Sequence, residues 1–131
     1  MKKIAVIAAM SKEFEEIRKM LSDRKEGILD GIQFVEGSFG NLQIGLINSG
    51  IGKVCSGVYT AQIIKKFQPD YVLNTGVSGG LDPSLKVMDV VFSTKAVYHD
   101  VWCGESLNKK SVYLYGVSVS SIVRYTAHHK P

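Results

Sequence analysis

The chain has 131 residues, 45% of them hydrophobic and 21% charged, which allows one domain with a real core and argues against two. Its apolar runs stop well short of the ~20 residues that cross a bilayer, so no membrane partner is expected. Sixteen basic residues against twelve acidic ones give a net charge of +4. The excess lies after Glu105, and no stacked aromatics or nucleic-acid motif accompany it; it reads as a solvated tail, not a nucleic-acid surface.

Met1-Lys2-Lys3 precedes an apolar run, as in a signal peptide, but the run yields at once to Ser11-Lys12-Glu13. A buried first strand from Lys3 to Ala9 and a cytoplasmic location are the expectation. Ser11 is a candidate N-cap for a helix reaching about Ser22, with Phe14, Ile17, Met20 and Leu21 on its apolar stripe. Glu13 shares a face with Ile17 and Met20, while most other charges of this helix fall outside. A carboxylate in a first turn is favoured by the helix dipole, and its position turns it partly inward.

Asp23 to Gly31 reads as a polar connection. Ile32 to Gly37 and Leu42 to Ile47 are expected to form a hairpin around Gly40-Asn41. Asn48-Ser49-Gly50-Ile51-Gly52-Lys53 is a glycine turn, and a helix from about Val54 to Phe67 is predicted to bury Val54, Val58, Ala61 and Ile64. Pro69-Asp70 leads into a core strand from Tyr71 to Thr75. It opens into Gly76-Val77-Ser78-Gly79-Gly80, where glycines permit positive φ or a close backbone approach. A buried strand ending this way is a common start for a small-molecule site at the carboxyl edge of a parallel sheet. Asp82-Pro83 marks a turn, Val87 to Ser93 a strand, and Ala96 to Asp100 a strand or its exit. Val112 to Tyr115 and Val117 to Val119 are candidate strands, and the chain beyond Arg124 is expected to be loosely held. Strand, helix, hairpin, helix, strand is an α/β order with a mixed sheet.

Several familiar chemistries fail on spacing. A P-loop would need glycine at Ile47 and Ser or Thr at Val54; a dinucleotide fingerprint would need glycine at Cys55. Gly76-Val77-Ser78-Gly79-Gly80 matches the serine-hydrolase letters GxSxG, but Leu81-Asp82-Pro83 breaks the chain where that motif needs a helix. His99, Asp100 and Cys103 form one mixed cluster without a second, so no metal is expected. Cys55 and Cys103 form no CxxC pair and read as free thiols.

Four segments in order resemble the amino-terminal part of the 5′-methylthioadenosine/S-adenosylhomocysteine nucleosidases, in the purine nucleoside phosphorylase superfamily. They are Ile7-Ala8-Ala9-Met10-Ser11-Lys12-Glu13, Ser49-Gly50-Ile51-Gly52-Lys53-Val54, Asn74 to Leu81, and Tyr98-His99-Asp100. The resemblance implies a truncated, nucleoside phosphorylase-like α/β fold with a mixed central sheet flanked by helices. It spans about residues 1–105, leaving 106–131 as a divergent tail. It also implies hydrolysis of the bond between adenine and a 5′-thio-substituted ribose, with no metal or cofactor. Glu13 would hold and deprotonate the attacking water. Ala9, Met10, Ile51, Val77, Ser78 and Gly79 would line the nucleoside pocket, and Tyr98-His99-Asp100 would lead toward the partner of a homodimer. A phosphorylase, a related nucleoside hydrolase and a non-catalytic fragment that keeps the fold are the alternatives.

Two departures stand out. Met88 occupies a position before Asp89 where the family usually has glycine. After Cys103-Gly104-Glu105 the likeness ends, so the family's Met-Glu pair for the ribose hydroxyls and its leaving-group aspartate match no residue here.

Overall fold

The structure, a computed structural model, describes residues 1–80 and 82–93 together with the backbone of 121–125. Its centre is β1 (Lys2–Ala8), whose last four residues are all buried. A strand enclosed on both faces needs near-continuous apolar sequence, and Ile4 to Ala8 supplies it. β1 runs parallel to β4 (Leu42–Asn48) on one side and to β5 (Tyr71–Ser78) on the other. β2 (Ser22–Leu29), β3 (Ile32–Phe39) and β4 form an antiparallel meander. β7 (Ser121–Tyr125) lies parallel to β5 and antiparallel to β6 (Val90–Ser93). The sheet order is β2-β3-β4-β1-β5-β7-β6, a mixed sheet as expected.

Two helices close the left half of that order. α1 (Ser11–Lys19) packs over β4 and β1, and α2 (Lys53–Phe67) packs over the same two strands from the opposite side. Phe14 of α1 packs with Val6, Ala8, Leu21, Ile44 and Leu46. Ile63 and Phe67 of α2 pack with Ala5, Ile7, Phe34 and Ile47. Phe67 meets Phe34 edge-on at 6.4 Å, and the Lys3 ammonium stands 4.5 Å from the centre of its ring. The ring has room because position 45 is glycine. A Cβ there would sit 2.8 Å from the Phe67 ring.

Four expectations need correction. The segment read as a polar connection is largely β2. Its charges fit a strand because β2 is an edge: all of Ser22 to Ile28 is exposed, and Lys, Arg, Asp and Glu discourage further pairing there. The register slips between Ser22 and Lys25, next to Asp23 at φ 50°, which hides the strand from any search for alternation. The second correction is the face of α2. Val54, Val58, Ala61 and Ile64 point outward, with Val54 78% exposed, while Tyr59, Ile63 and Phe67 turn to the sheet. Both stripes are apolar at helical spacing, so periodicity alone could not choose between them. Third, Met20 is exposed because α1 ends at Lys19, with Met20 as its C-cap, and Leu21 alone turns back into the core. Finally, β6 begins at Val90, since Val87 and Met88 lie in a turn. The expected strands at 96–100, 112–115 and 117–119, the motif Tyr98-His99-Asp100, Cys103 and the tail from 126 lie outside the described residues. β7 follows the segment in which late strands were expected.

Met88 adopts φ 77°, a conformation that favours glycine. An L-residue in the left-handed region costs about 1–2 kcal/mol, part of which glycine would give back in unfolded-chain entropy. Met88→Gly is expected to raise unfolding stability by up to about 1 kcal/mol in urea titration; a loss would contradict the strain. Phe67→Ala, which empties the space over Gly45, is expected to cost about 3–5 kcal/mol by the same measurement.

Candidate active site

The parallel strands β4, β1 and β5 end on one edge, where α1 and α2 begin. A cleft of about 670 Å³ opens there, with Ala9, Met10 and Ile51 on its wall beside Asn48, Cys55 and Tyr59. Its floor is tied by main-chain bonds. The Ser49 amide donates to the Ala8 carbonyl at 2.9 Å, and the buried Ser49 hydroxyl lies 3.3 Å from the same oxygen. Asn48 Nδ2 donates to Ser11 Oγ at 3.1 Å, joining the end of β4 to the head of α1. Ser11 is therefore the first residue of α1 and not its N-cap, a place taken by Met10. Gly50 at φ 74° and Gly52 at φ 113° turn the chain from β4 into α2, which no other residue type would do without strain.

Glu13 binds this edge together. One carboxylate oxygen, Oε2, accepts the Met10 amide at 3.1 Å, the reach-back that a glutamate at the third helical position makes. The other, Oε1, accepts the Val77 amide at 2.9 Å, 64 residues further along the chain. Each bond uses one lone pair, so each oxygen keeps acceptor capacity for a water or hydroxyl. The inward turn of Glu13, expected from its place on α1, is thus observed.

The glycine motif works differently from the expected bend. β5 continues through Gly76 and Val77 to Ser78, and Gly76 does not take positive φ. Its value is space: a Cβ at Gly76 would stand 2.8 Å from Glu13 Oε1 and 3.2 Å from Oε2. Side chains essentially never tolerate such a contact with a fixed atom, so a methyl here would drive the carboxylate away. Val77 and Ser78 are exposed beyond the carboxylate, and Ser78 Oγ lies 3.3 Å from the Gly79 carbonyl. Past Gly80 the chain is stapled by Asp82, which accepts the Ser84 amide at 2.8 Å and the Ser84 hydroxyl at 2.7 Å. Those two donors hold the exposed Asp82 carboxyl below the usual range.

The structure therefore brings Ala9, Met10 and Ile51 into one cleft and places Glu13 between Met10 and Val77. Glu13, Val77, Ser78 and Gly79 do not line the cleft; Glu13 is joined to its wall through the Met10 amide and to β5 through the Val77 amide. Asn48, Ser49 and Tyr59 were not singled out as site residues. Asn48 and Ser49 lie beside a glycine turn, which was the available signal; Tyr59 had none, because the buried face of α2 was misassigned. Among the described residues no group of three or more His, Cys, Asp or Glu side chains is placed to hold a metal.

The sequence matches the Phosphorylase superfamily over residues 3–129. A 5′-methylthioadenosine/S-adenosylhomocysteine nucleosidase of an Exiguobacterium strain is 42% identical over 99 residues, which are 76% of this chain and 42% of that protein. The nucleosidase of Colwellia psychrerythraea, solved in complex with adenine, superposes with a TM-score of 0.75 at 41% identity, over 78% of this chain and 42% of its own. That of Neisseria meningitidis, in complex with methylthio-immucillin-A, gives 0.74 at 43% identity, over 79% and 45%. The chain spans less than half the length of these relatives.

Gly76→Ala should release Glu13 from the Val77 amide without unfolding the sheet. A hydrogen bond to a charged acceptor is worth about 1.5–3 kcal/mol, so exchange at the Val77 amide should quicken by roughly tenfold to a hundredfold. Unchanged exchange at Val77, measured by NMR beside the amides of β1, would show that the glycine is not what seats the carboxylate.

Proposed function

The chain belongs to the phosphorylase superfamily, and from that premise we propose that its cleft serves the hydrolysis of 5′-methylthioadenosine and S-adenosylhomocysteine, releasing adenine. One observation carries the reading: a carboxylate held by two main-chain amides at the carboxyl edge of three parallel strands, one of those amides belonging to Met10 on the wall of an open cleft. The nucleosidase relatives add to it, two of them in complex with adenine or methylthio-immucillin-A.

In this reading the free lone pairs of Glu13 orient a water below the sugar. The water oxygen forms a bond to the anomeric carbon as the carbon–nitrogen bond to adenine breaks, and the water's proton passes to Glu13. Developing positive charge on the sugar is stabilised by the same carboxylate. The electron pair of the broken bond leaves with adenine, which needs a proton of its own. Met10 and Ile51 give the nucleoside apolar contact within the cleft, and a ligand that reaches out of it toward Glu13 would meet main-chain groups at Val77, Ser78 and Gly79, which lie outside its lining. Consumption of methylthioadenosine would give the protein a part in methionine salvage, in the cytoplasm. The outward stripe of Val54, Val58 and Ile64 supports assembly as a homodimer.

Phosphorolysis is the weaker alternative. It needs cations near the ribose, and the only arginines in the matched first half are Arg18 and Arg24. Arg18 is occupied with Glu15 and Glu26, and Arg24 Nη1 donates to the Arg18 carbonyl.

Because no residue matches the family's leaving-group acid, the purified 131-residue protein is expected to release adenine from methylthioadenosine slowly if at all. General acid–base steps contribute ~10²–10⁴-fold each. Any residual release should fall by a comparable factor in Glu13→Gln and should be indifferent to inorganic phosphate. Methylthioadenosine at a hundredfold excess over Kd should still stabilise both proteins by about 2.7 kcal/mol in thermal melts. Melting unchanged at saturating ligand, or residual release untouched by Glu13→Gln, would refute the reading.

A further inference from the structure

β1 passes into α1 through a short connector, Ala9 and Met10. Where the chain leaves the sheet, Ala8 is flanked by Asn48 of β4 on one side and Thr75 of β5 on the other. The head of the helix is tied to both flanks. Toward β5 the tie is Glu13, whose Oε1 accepts the amide of Val77, just beyond Thr75. Toward β4 the tie is Asn48, whose Nδ2 donates to Ser11 Oγ at 3.1 Å, within the ordinary hydrogen-bond range. Asn48 is a firm anchor. Its main chain stands in the β1–β4 ladder, and the amide of the next residue, Ser49, donates to the Ala8 carbonyl at 2.9 Å.

We propose that Asn48, acting through Ser11, is a positioning residue for the Glu13 carboxylate. The two ties pull the helix head toward opposite sides of β1. Held on both flanks, the head cannot shift toward one strand without stretching its bond to the other. Held on one, it is free to pivot about Ala9 and Met10. Ser11 and Glu13 share the first turn of α1, so a displacement of Ser11 carries the carboxylate with it. The other restraints on this turn do not fix its attitude to the sheet. The bond from the Met10 amide to Glu13 Oε2 lies within the turn and moves as the turn moves. Phe14 seats the helix on the sheet, but apolar packing has no direction and leaves the polar ties to set the angle. The amide of Asn48 donates to Ser11 and not to the carboxylate, so its effect on Glu13 is transmitted by the helix. Only the use of that carboxylate as a base rests on the proposed nucleosidase reading; its seating does not.

The test is hydrogen exchange at the Val77 amide, read by NMR on the 131-residue protein, with the buried strand residues Ala5 and Leu46 as internal references. Asn48→Ala and Ser11→Ala remove the β4 tie from either end. Each should quicken exchange at Val77 by roughly twofold to tenfold, the worth of one neutral hydrogen bond, and leave Ala5 and Leu46 unchanged. The double variant should go no further than either single one, because both remove the same bond. Ser11→Thr keeps the hydroxyl and should hold the Val77 rate at its original value. Exchange at Val77 unmoved by both alanine variants would overturn the proposal. So would quickening shared equally by Ala5 and Leu46, which marks a general loss of stability, or additive effects in the double variant, or failure of Ser11→Thr to keep the rate. A response confined to Val77, in a protein whose melting is indifferent to methylthioadenosine, would leave the seating of Glu13 standing and remove the nucleosidase reading.

Discussion

The contact on which this molecule turns is the pair of hydrogen bonds that Glu13 accepts from Met10 and Val77. The first is local and comes with the helix: a glutamate at the third position finds the amide that α1 leaves unpaired. The second is remote and exists only after β5 has docked on β1. Between them they convert the side chain of one helical residue into a fixed feature of the sheet edge. Gly76 sets the geometry by omission, since its missing Cβ is the space that the carboxylate fills. A mechanism that needs an oriented acceptor has its orientation supplied by main-chain amides, which hold as long as no Cβ at position 76 pushes the carboxylate off them.

Much of this was legible from residue order. The buried first strand, the hairpin at Gly40-Asn41, the glycine turn before α2 and the inward tilt of Glu13 all carry local chemistry, and local chemistry is what sequence records. The failures have one physical source. β2 is a strand because β3 offers it a ladder, although Ser22-Asp23-Arg24-Lys25-Glu26 has no period of its own. α2 carries two apolar stripes, and only the presence of the Gly45 groove under Phe67 selects between them. The role of Gly76 was half legible. Its glycine was expected to serve either a turn or a close approach, and the residue in close approach is the protein's own carboxylate. The contribution of Tyr59 to the cleft follows from the choice of α2 face, so it was lost with it.

The two halves of the sheet are built to different standards. Over β4 and β1 both faces are sealed, by α1 on one side and α2 on the other, with side chains such as Leu46 and Ile63 wholly removed from water. Toward β6 the same sheet carries apolar residues into the open. Met88, held at positive φ just before β6, sits at the same end of the molecule. Hydrophobic stabilisation and local strain are therefore distributed unevenly, and cooperative opening should begin from the β6 side.

The charged rim at β2 gives this asymmetry a direction. Lys25, Glu26 and their neighbours repel or hydrate any strand that approaches from that flank, and the slipped register beside Asp23 bends the ladder away from it. Among the described residues that flank resists the addition of a strand, so crowded copies would find edge-to-edge growth blocked there.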